Sequence, residues 1–130
     1  MYLLDTNSVI YFFKGMGRIA QNLFLHSPKE IFIPSIAVYE LEVGIAKSNN
    51  PKKRQEQLNL LLEQIEIIDF GKKEAKEAAS IRADLEKLGT PIGPMDTLIA
   101  GCAKANNLIL VTRNTKEFSR VDGLLVENWF

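Results

Sequence analysis

Short apolar runs alternate with longer amphipathic stretches along this chain. The runs Tyr2–Leu4, Ile31–Ile33, Ile65–Ile68, Leu108–Thr112 and Leu124–Val126 are brief, aliphatic and bounded by polar residues, which predicts strands. Between them, apolar positions recur at helical spacing. That predicts helices over Thr6–Phe13, Arg18–Leu25, Ser35–Lys47, Lys52–Gln64, Lys72–Leu88 and Pro94–Ala105. Pro51 stands near the first turn of its helix, where a missing N–H costs nothing. "LGTPIGP" stops one helix and starts the next. Strands alternating with helices predict an α/β fold: a small, mainly parallel sheet of about five strands, flanked by helices, in one domain over residues 1–130.

Open parallel sheets bind ligands beyond the carboxyl ends of their strands, near the point where strand order reverses. Asp5 follows the first run, and Asn114 follows "LILVT". In "MYLLDTNSVI", Asp5 breaks the apolar pattern where the core begins. Asp5, Thr6 and Asn7 all accept bonds from free N–H groups, so helix capping accounts for them as readily as chemistry does. Asn114 reads as an N-cap with Glu117 completing a capping box, or as a neutral oxygen ligand. Asp96 opens "MDTLIAGCA", where a negative charge suits the helix dipole. It also shares a face with Ile99, Ala100 and Ala103, which should look inward.

In "SIAVYELEVG", Glu40 or Glu42 must lie close to apolar neighbours, and an unpaired buried carboxylate is costly. Gly44, one turn after Glu40, leaves room on that side and favours Glu40. Arg82 falls within a stripe of Ala75, Ala78, Ala79, Leu85 and Leu88. It either snorkels or reaches toward carboxylates or a phosphate.

Three acids, an Asn and an Arg thus gather at strand ends and helix starts. Clustered like charges persist only with a compensating cation, and hard ions such as Mg²⁺ or Mn²⁺ take oxygen ligands of this kind. Such sites commonly serve phosphoryl chemistry. The totals narrow the field further. With 130 residues, 46% of them hydrophobic, one core is expected. The formal net charge is +0, so any polyanion must be met by local basic groups. Candidates are Lys47, Lys52, Lys53 and Arg54, then Arg113, Lys116 and Arg120. One cysteine, Cys102, excludes an internal disulfide, and one histidine, His26, makes structural zinc improbable. No apolar segment is long enough to span a bilayer, and the start lacks the layout of a signal peptide. A cytoplasmic protein without membrane contact is expected.

Four segments, "LLDTNSVIYFF", "SIAVYELEVGIAKS", "IRADLEKLGTPIGPMDTLIAG" and "LILVTRNTKEF", resemble the PIN-domain ribonucleases. Within these they most resemble the VapC-type toxins of bacterial toxin–antitoxin pairs. The likeness covers essentially the whole chain, and "GPMDTLIA" followed by "TRNTKEF" is its most specific part. The resemblance implies a PIN fold and Mg²⁺- or Mn²⁺-dependent endonucleolytic cleavage of RNA. It implies Asp5 and Asp96 as principal metal ligands, with Glu40 as a third acid that also helps hold or activate the attacking water. Asn114 stands where many relatives carry Asp, which removes one charge; Glu117 is a further contributor. Thr6 and Thr112 match hydroxyl positions that line such sites. Arg82 and Arg113 are candidate substrate contacts. The resemblance also implies a VapB-like antitoxin and a homodimer. Tyr39, Leu60, Leu61 and Leu62 are candidate interface residues that serve equally well as core. Cys102 and His26 read as structural.

Two other readings remain open on the sequence. One is a different phosphoryl-transfer hydrolase, such as a phosphatase with a nucleophilic Asp5. The other is a non-catalytic α/β binding module, either a degenerate PIN domain or a receiver-like phosphoacceptor, which the Asn at position 114 keeps in play.

Overall fold

The computed structural model describes residues 1–130. Five strands form one sheet: β1 (Tyr2–Leu4), β2 (Ile31–Pro34), β3 (Glu66–Ile68), β4 (Ile109–Val111) and β5 (Val126–Glu127). Their order is β3-β2-β1-β4-β5, and every neighbouring pair is parallel. In β1, Tyr2 stands opposite both Ile31 and Ile109, and Leu4 opposite Val111. Parallel strands need crossover connections, which is why helices intervene. These are α1 (Thr6–Phe13), α2 (Ile19–Leu23), α3 (Ser35–Ala46), α4 (Pro51–Gln64), α5 (Lys72–Lys87), α6 (Pro94–Ala105) and α7 (Thr115–Phe118). A 3₁₀ turn at Pro28–Glu30 precedes β2.

Alternation along the strands divides the core between the two faces. Leu4 and Val111 join one cluster with Val9, Leu41, Leu58 and Trp129, from the side of α1 to α4. Leu3 and Leu110 join the other with Ile81, Leu85, Ile99 and Phe118, from the side of α5 and α6. Each such side chain, fully buried, stabilises the fold by about 1.5–3 kcal/mol. Gly101 of α6 packs directly on Ala78 of α5.

The expected α/β architecture is present, with small differences at the ends of elements. Ile65 closes α4 as its C-cap rather than opening a strand. The last strand begins at Val126 rather than Leu124. Helix α7 spans four residues, too few to register as a periodic pattern. Two side-chain placements also differ. The buried positions of α5 are Glu74, Ala78, Ile81 and Leu85, so Ala78 and Leu85 of the expected stripe are packed while Ala75, Ala79 and Leu88 are exposed. Arg82 therefore falls on the exposed side, where Nε pairs with Glu86 at 3.3 Å. Leu61 is buried and Leu62 packs against the core, whereas Tyr39 (57% exposed) and Leu60 (63%) face solvent.

The topology fixes where a site can form. From β1 the sheet grows through β2 to β3 on one side, and through β4 to β5 on the other. The reversal falls between β1 and β4. Asp5 leaves the end of β1, and Thr112, Arg113 and Asn114 leave the end of β4. The Asp5 N–H still bonds the Val111 carbonyl at 3.1 Å, so the two ends stay joined.

Candidate active site

Asp5 is only 5% exposed, at the N-cap of α1. Its Oδ1 accepts the Ser8 N–H at 2.8 Å. The Ser8 hydroxyl in turn donates to the Val111 carbonyl at 3.2 Å, which ties the cap to β4. Burial raises the Asp5 carboxyl above its ordinary value of 3.8, and bonds from the Ser8 and Thr112 side chains and the Ser8 backbone only partly counter this. Asp5 is thus both the cap of α1 and a buried carboxyl at the carboxyl edge of the sheet.

Glu40 projects from α3. Its Oε1 accepts the Thr6 hydroxyl at 2.6 Å, a short charge-assisted bond. Glu42, the other candidate of that helix, is exposed. Asp96 is the third residue of α6, following the Gly93 N-cap and Pro94. A Cβ at position 93 would lie 3.6 Å from Asp96 Oδ2. The Asp96 carboxyl is pushed up from 3.8 to about 6 by burial first, then by the charges of Asp5, Glu117 and Glu40. No donor or cation acts on it in the opposite direction.

Those three neighbours identify the constellation: Asp5 at the N-cap of α1, Glu40 of α3 and Glu117 of α7 all act on Asp96 of α6. Glu117 belongs among them more firmly than its place in the sequence indicated. Asn114 is the N-cap of α7 by position, but its side chain makes no capping bond. Instead its Nδ2 donates to Glu117 Oε2 at 2.8 Å, so the expected capping box does not form. Its backbone N–H bonds the Thr112 hydroxyl at 3.0 Å, and Thr112 is fully buried.

Asp5 and Asn114 line a crevice of about 180 Å³ together with Asn7, Tyr11 and Arg113. Glu40 lines a larger hollow of about 440 Å³ that also takes in Lys14, Lys47 and Arg54. Thr6, next to Asp5 and bonded to Glu40, connects the two. Arg82 is not brought to the acids; it borders a separate hollow with Pro91, Pro94 and Leu98. Arg120 Nη1 is tied to the Pro91 carbonyl at 3.1 Å. Sequence reasoning named Asn7 only as a capping candidate beside Asp5, and missed Ser8 and Tyr11. Ser8 had a signal, since an N-cap acid bonds an N–H two or three residues on. Tyr11 had none.

As the side chains stand, no three carboxylates, imidazoles or thiolates are disposed around one point to hold an ion. Asp5, Glu40 and Glu117 each turn toward a local donor. The chemistry of the set nonetheless fits a hard divalent cation. All four acids offer oxygen, Asp96 feels the negative charge of the other three in addition to its burial, Asp5 is raised by burial, and no basic side chain pairs with any of them.

The PIN domain family profile matches residues 2–124. The chain belongs to the PIN domain family. It is similar to the tRNA(fMet)-specific endonuclease VapC of Shigella flexneri, with 35% identity over 98% of this chain and 97% of that one. It is 38% identical to ribonuclease VapC2 of Haemophilus influenzae, again over 98% and 97% of the two chains. Among solved structures, VapBC2 from Rickettsia felis, bound to a promoter DNA fragment, superposes with a TM-score of 0.93 at 40% identity. That match covers 99% of this chain and 98% of the other.

Proposed function

We propose that this chain is a metal-dependent endoribonuclease, the VapC-type toxin of a toxin–antitoxin pair. The single observation that carries the reading is the placement of Asp5, Glu40, Asp96 and Glu117 about the reversal point of the sheet, where burial first and then the charges of the other three raise the Asp96 carboxyl. Full-length similarity to proteins named as VapC ribonucleases supports it.

In this reading Asp5 and Asp96 are the principal holders of Mg²⁺ or Mn²⁺, with Glu40 third and Glu117 replacing the acid absent at position 114. Such an ion, when bound, lowers the pKa of nearby water and offsets charge on phosphoryl oxygens. The chain's own residues do the rest. Glu40, oriented by Thr6, accepts a proton from the attacking water. Thr112 fixes Asp5 and the turn that presents Asn114. Asn114 keeps Glu117 directed into the site. Arg113 meets the RNA backbone at the crevice, where bidentate donors suit a phosphate. Lys14, Lys47 and Arg54 extend the track past Glu40.

A VapB-like antitoxin is the expected protein partner, as VapBC complexes are the solved relatives. A homodimer is expected too. Surfaces for these partners are at hand. Phe24 is 75% exposed and borders an apolar hollow of about 430 Å³ with Phe12, Leu23 and Leu60. No helix is long and apolar enough to cross a membrane, and a cytoplasmic location suits an RNA substrate. A transfer RNA is the first substrate to try, given the Shigella relative's name.

A second reading, a binding module without catalysis, is favoured by the acids' failure to close on one point. One experiment decides between them. The protein is incubated with total cellular RNA with Mg²⁺, with chelator, and as Asp96→Asn, and the cut ends are mapped. Discrete cuts that need both the ion and Asp96 support the nuclease. Cleavage that survives chelation rejects the metal mechanism, and no cleavage in any arm supports the binding module.

A further inference from the structure

The Arg113 guanidinium lies over an aromatic ring from the other end of the sequence. Its central carbon is 3.7 Å from the centroid of the Phe130 ring and 5.6 Å from that of Tyr11. None of the three ion pairs of the chain involves Arg113, although Asp5 borders the same crevice. Stacking and ion pairing differ in what they consume. A ring occupies the face of the guanidinium and leaves the in-plane N–H donors free. A carboxylate would take those donors, the ones a phosphate needs.

Phe130 is itself held firmly. Its carbonyl accepts the Arg18 N–H at 2.6 Å, and its N–H donates to Asn128 Oδ1 at 2.9 Å. Tyr11 meets its ring edge-on, with centroids 5.0 Å apart at 77°. The Gly17 turn is shaped around it: φ is +60°, and a Cβ there would lie 2.7 Å from the Phe130 carbonyl oxygen and 2.8 Å from two ring carbons. Glycine alone tolerates both the left-handed backbone and that approach.

We infer that Phe130 is a positioning residue for RNA: its ring parks Arg113 at the mouth of the acidic crevice with the donors turned outward to receive a backbone phosphate. The inference rests on the reading of Arg113 as an RNA contact. A long side chain held beforehand loses less rotamer freedom when it binds, so the ring strengthens RNA capture without touching RNA. The recognised group is a phosphodiester, independent of base.

The test is binding of a fluorescent single-stranded RNA 20-mer of mixed sequence, by anisotropy, in EDTA across a salt series. Omitting the divalent ion separates this inference from cleavage. A protein that binds but never cuts strikes the nuclease reading and leaves this one standing. Arg113→Ala is expected to weaken binding and to lower the slope of log K against log salt by about 0.7, the loss of one single-strand phosphate contact. Phe130→Leu is expected to weaken binding about threefold or more and to lose most of the same slope. Phe130→Tyr, which keeps the ring, retains wild-type affinity and slope. The double variant is no weaker than Arg113→Ala alone. In the unsubstituted protein, the Arg113 δ-protons resonate upfield from the ring current of Phe130, a reading that needs no variant to fold. Wild-type affinity and slope in Phe130→Leu, additive losses in the double variant, equal binding by wild type and Arg113→Ala, or absence of the upfield shift would each overturn the inference.

Discussion

Thr6 Oγ1 donates to Glu40 Oε1 at 2.6 Å, joining two residues 34 positions apart. The bond brings α1 and α3 together at the edge of the acidic constellation and fixes one oxygen of Glu40, leaving the other free. Thr6→Val keeps the shape of the side chain and removes the donor. A hydrogen bond to a charged group is worth about 1.5–3 kcal/mol, and about 1.4 kcal/mol is tenfold in rate. RNA cleavage by Thr6→Val should therefore fall at least about tenfold, and Thr6→Ser should stay near wild type. Steady-state cleavage in Mg²⁺ measures both. Full activity in Thr6→Val would remove Glu40 orientation from the mechanism.

Asp96 sets a pH dependence whose sign can be worked out. Burial, then the charges of Asp5, Glu117 and Glu40, push its carboxyl up to about 6 in the folded chain, from an ordinary value of 3.8. Between those values the folded chain holds a proton that the unfolded chain has released. Stability from this group is therefore present at low pH, falls as pH rises through the window, and levels off above about 6. The shift sets a ceiling of about 3 kcal/mol, and solvent screening at a half-buried group leaves about 1 kcal/mol. Asp96→Asn should gain in Tm relative to wild type between pH 4 and 7. Mg²⁺ or Mn²⁺ should raise the Tm of wild type at pH 7, have less effect below pH 6 as protons compete for the carboxylate, and do little for Asp96→Asn. Thermal melts across pH with and without the ion read every arm. Superimposable curves for the two proteins would contradict the electrostatic account.

Asp5 and Asn114 show how much of the site was legible in the sequence, and where legibility stopped. Asp5 interrupts an apolar run at a strand end, so its position followed from alternation and topology alone. Glu40 over Glu42 followed from helical spacing, because Gly44 leaves space one turn away. Asn114 was harder: the amide the sequence offers as a cap instead donates to Glu117, and only tertiary structure tells the acceptor from the donor. Arg82 was misplaced because the packed face of α5 runs through Glu74 and Ile81 beside Ala78 and Leu85, which turns Ala75, Ala79 and Arg82 toward solvent. Phe130 carried no signal, since its partners Arg113, Tyr11 and Arg18 are scattered along the chain and meet only through tertiary packing. The fold was more legible than the site because periodicity is a local property and the approach of side chains is not.

Glu74 gives the opposite pH sign from Asp96. It is 4% exposed, at the start of α5, where its oxygens accept the Gly71 N–H at 3.0 Å and the Asn106 amide at 2.9 Å. Burial pushes its carboxyl up, but the Asn106 amide, the backbone N–H groups and Lys73 outweigh this and hold it below the ordinary value of 4.5. Its contribution is complete above that value and is lost as pH falls through the lower, folded one. Glu74→Gln keeps one acceptor and removes the charge, so it should cost about 1–3 kcal/mol at pH 7 and show less further loss on acidification. Urea unfolding at pH 7 and pH 3 measures this. An unchanged difference between the proteins at the two pH values would show that Glu74 is not held ionised by the fold.

Gly101 tests the seam between α5 and α6. A Cβ at this position would lie 2.7 Å from Ala78 Cβ and 2.8 Å from both Ala78 Cα and N. Two of those three atoms are backbone, so no rotamer change relieves the contact and the helices must separate. Overpacking of this kind costs about 1–3 kcal/mol. The gain in helix propensity from Gly to Ala, about 1 kcal/mol, opposes it. We expect the clash to win, so that Gly101→Ala is destabilised in urea unfolding at constant m-value. Ala78→Gly should fail to rescue it, because the backbone atoms of residue 78 remain in the way. Helix α6 also carries Asp96 in its first turn. Moving α6 outward draws that carboxylate away from Asp5, so cleavage by Gly101→Ala should fall even where the protein is fully folded. A variant as stable as wild type would mean that the two helices yield at no cost and that α6 is free to shift, in which case the position of Asp96 is not set by this seam.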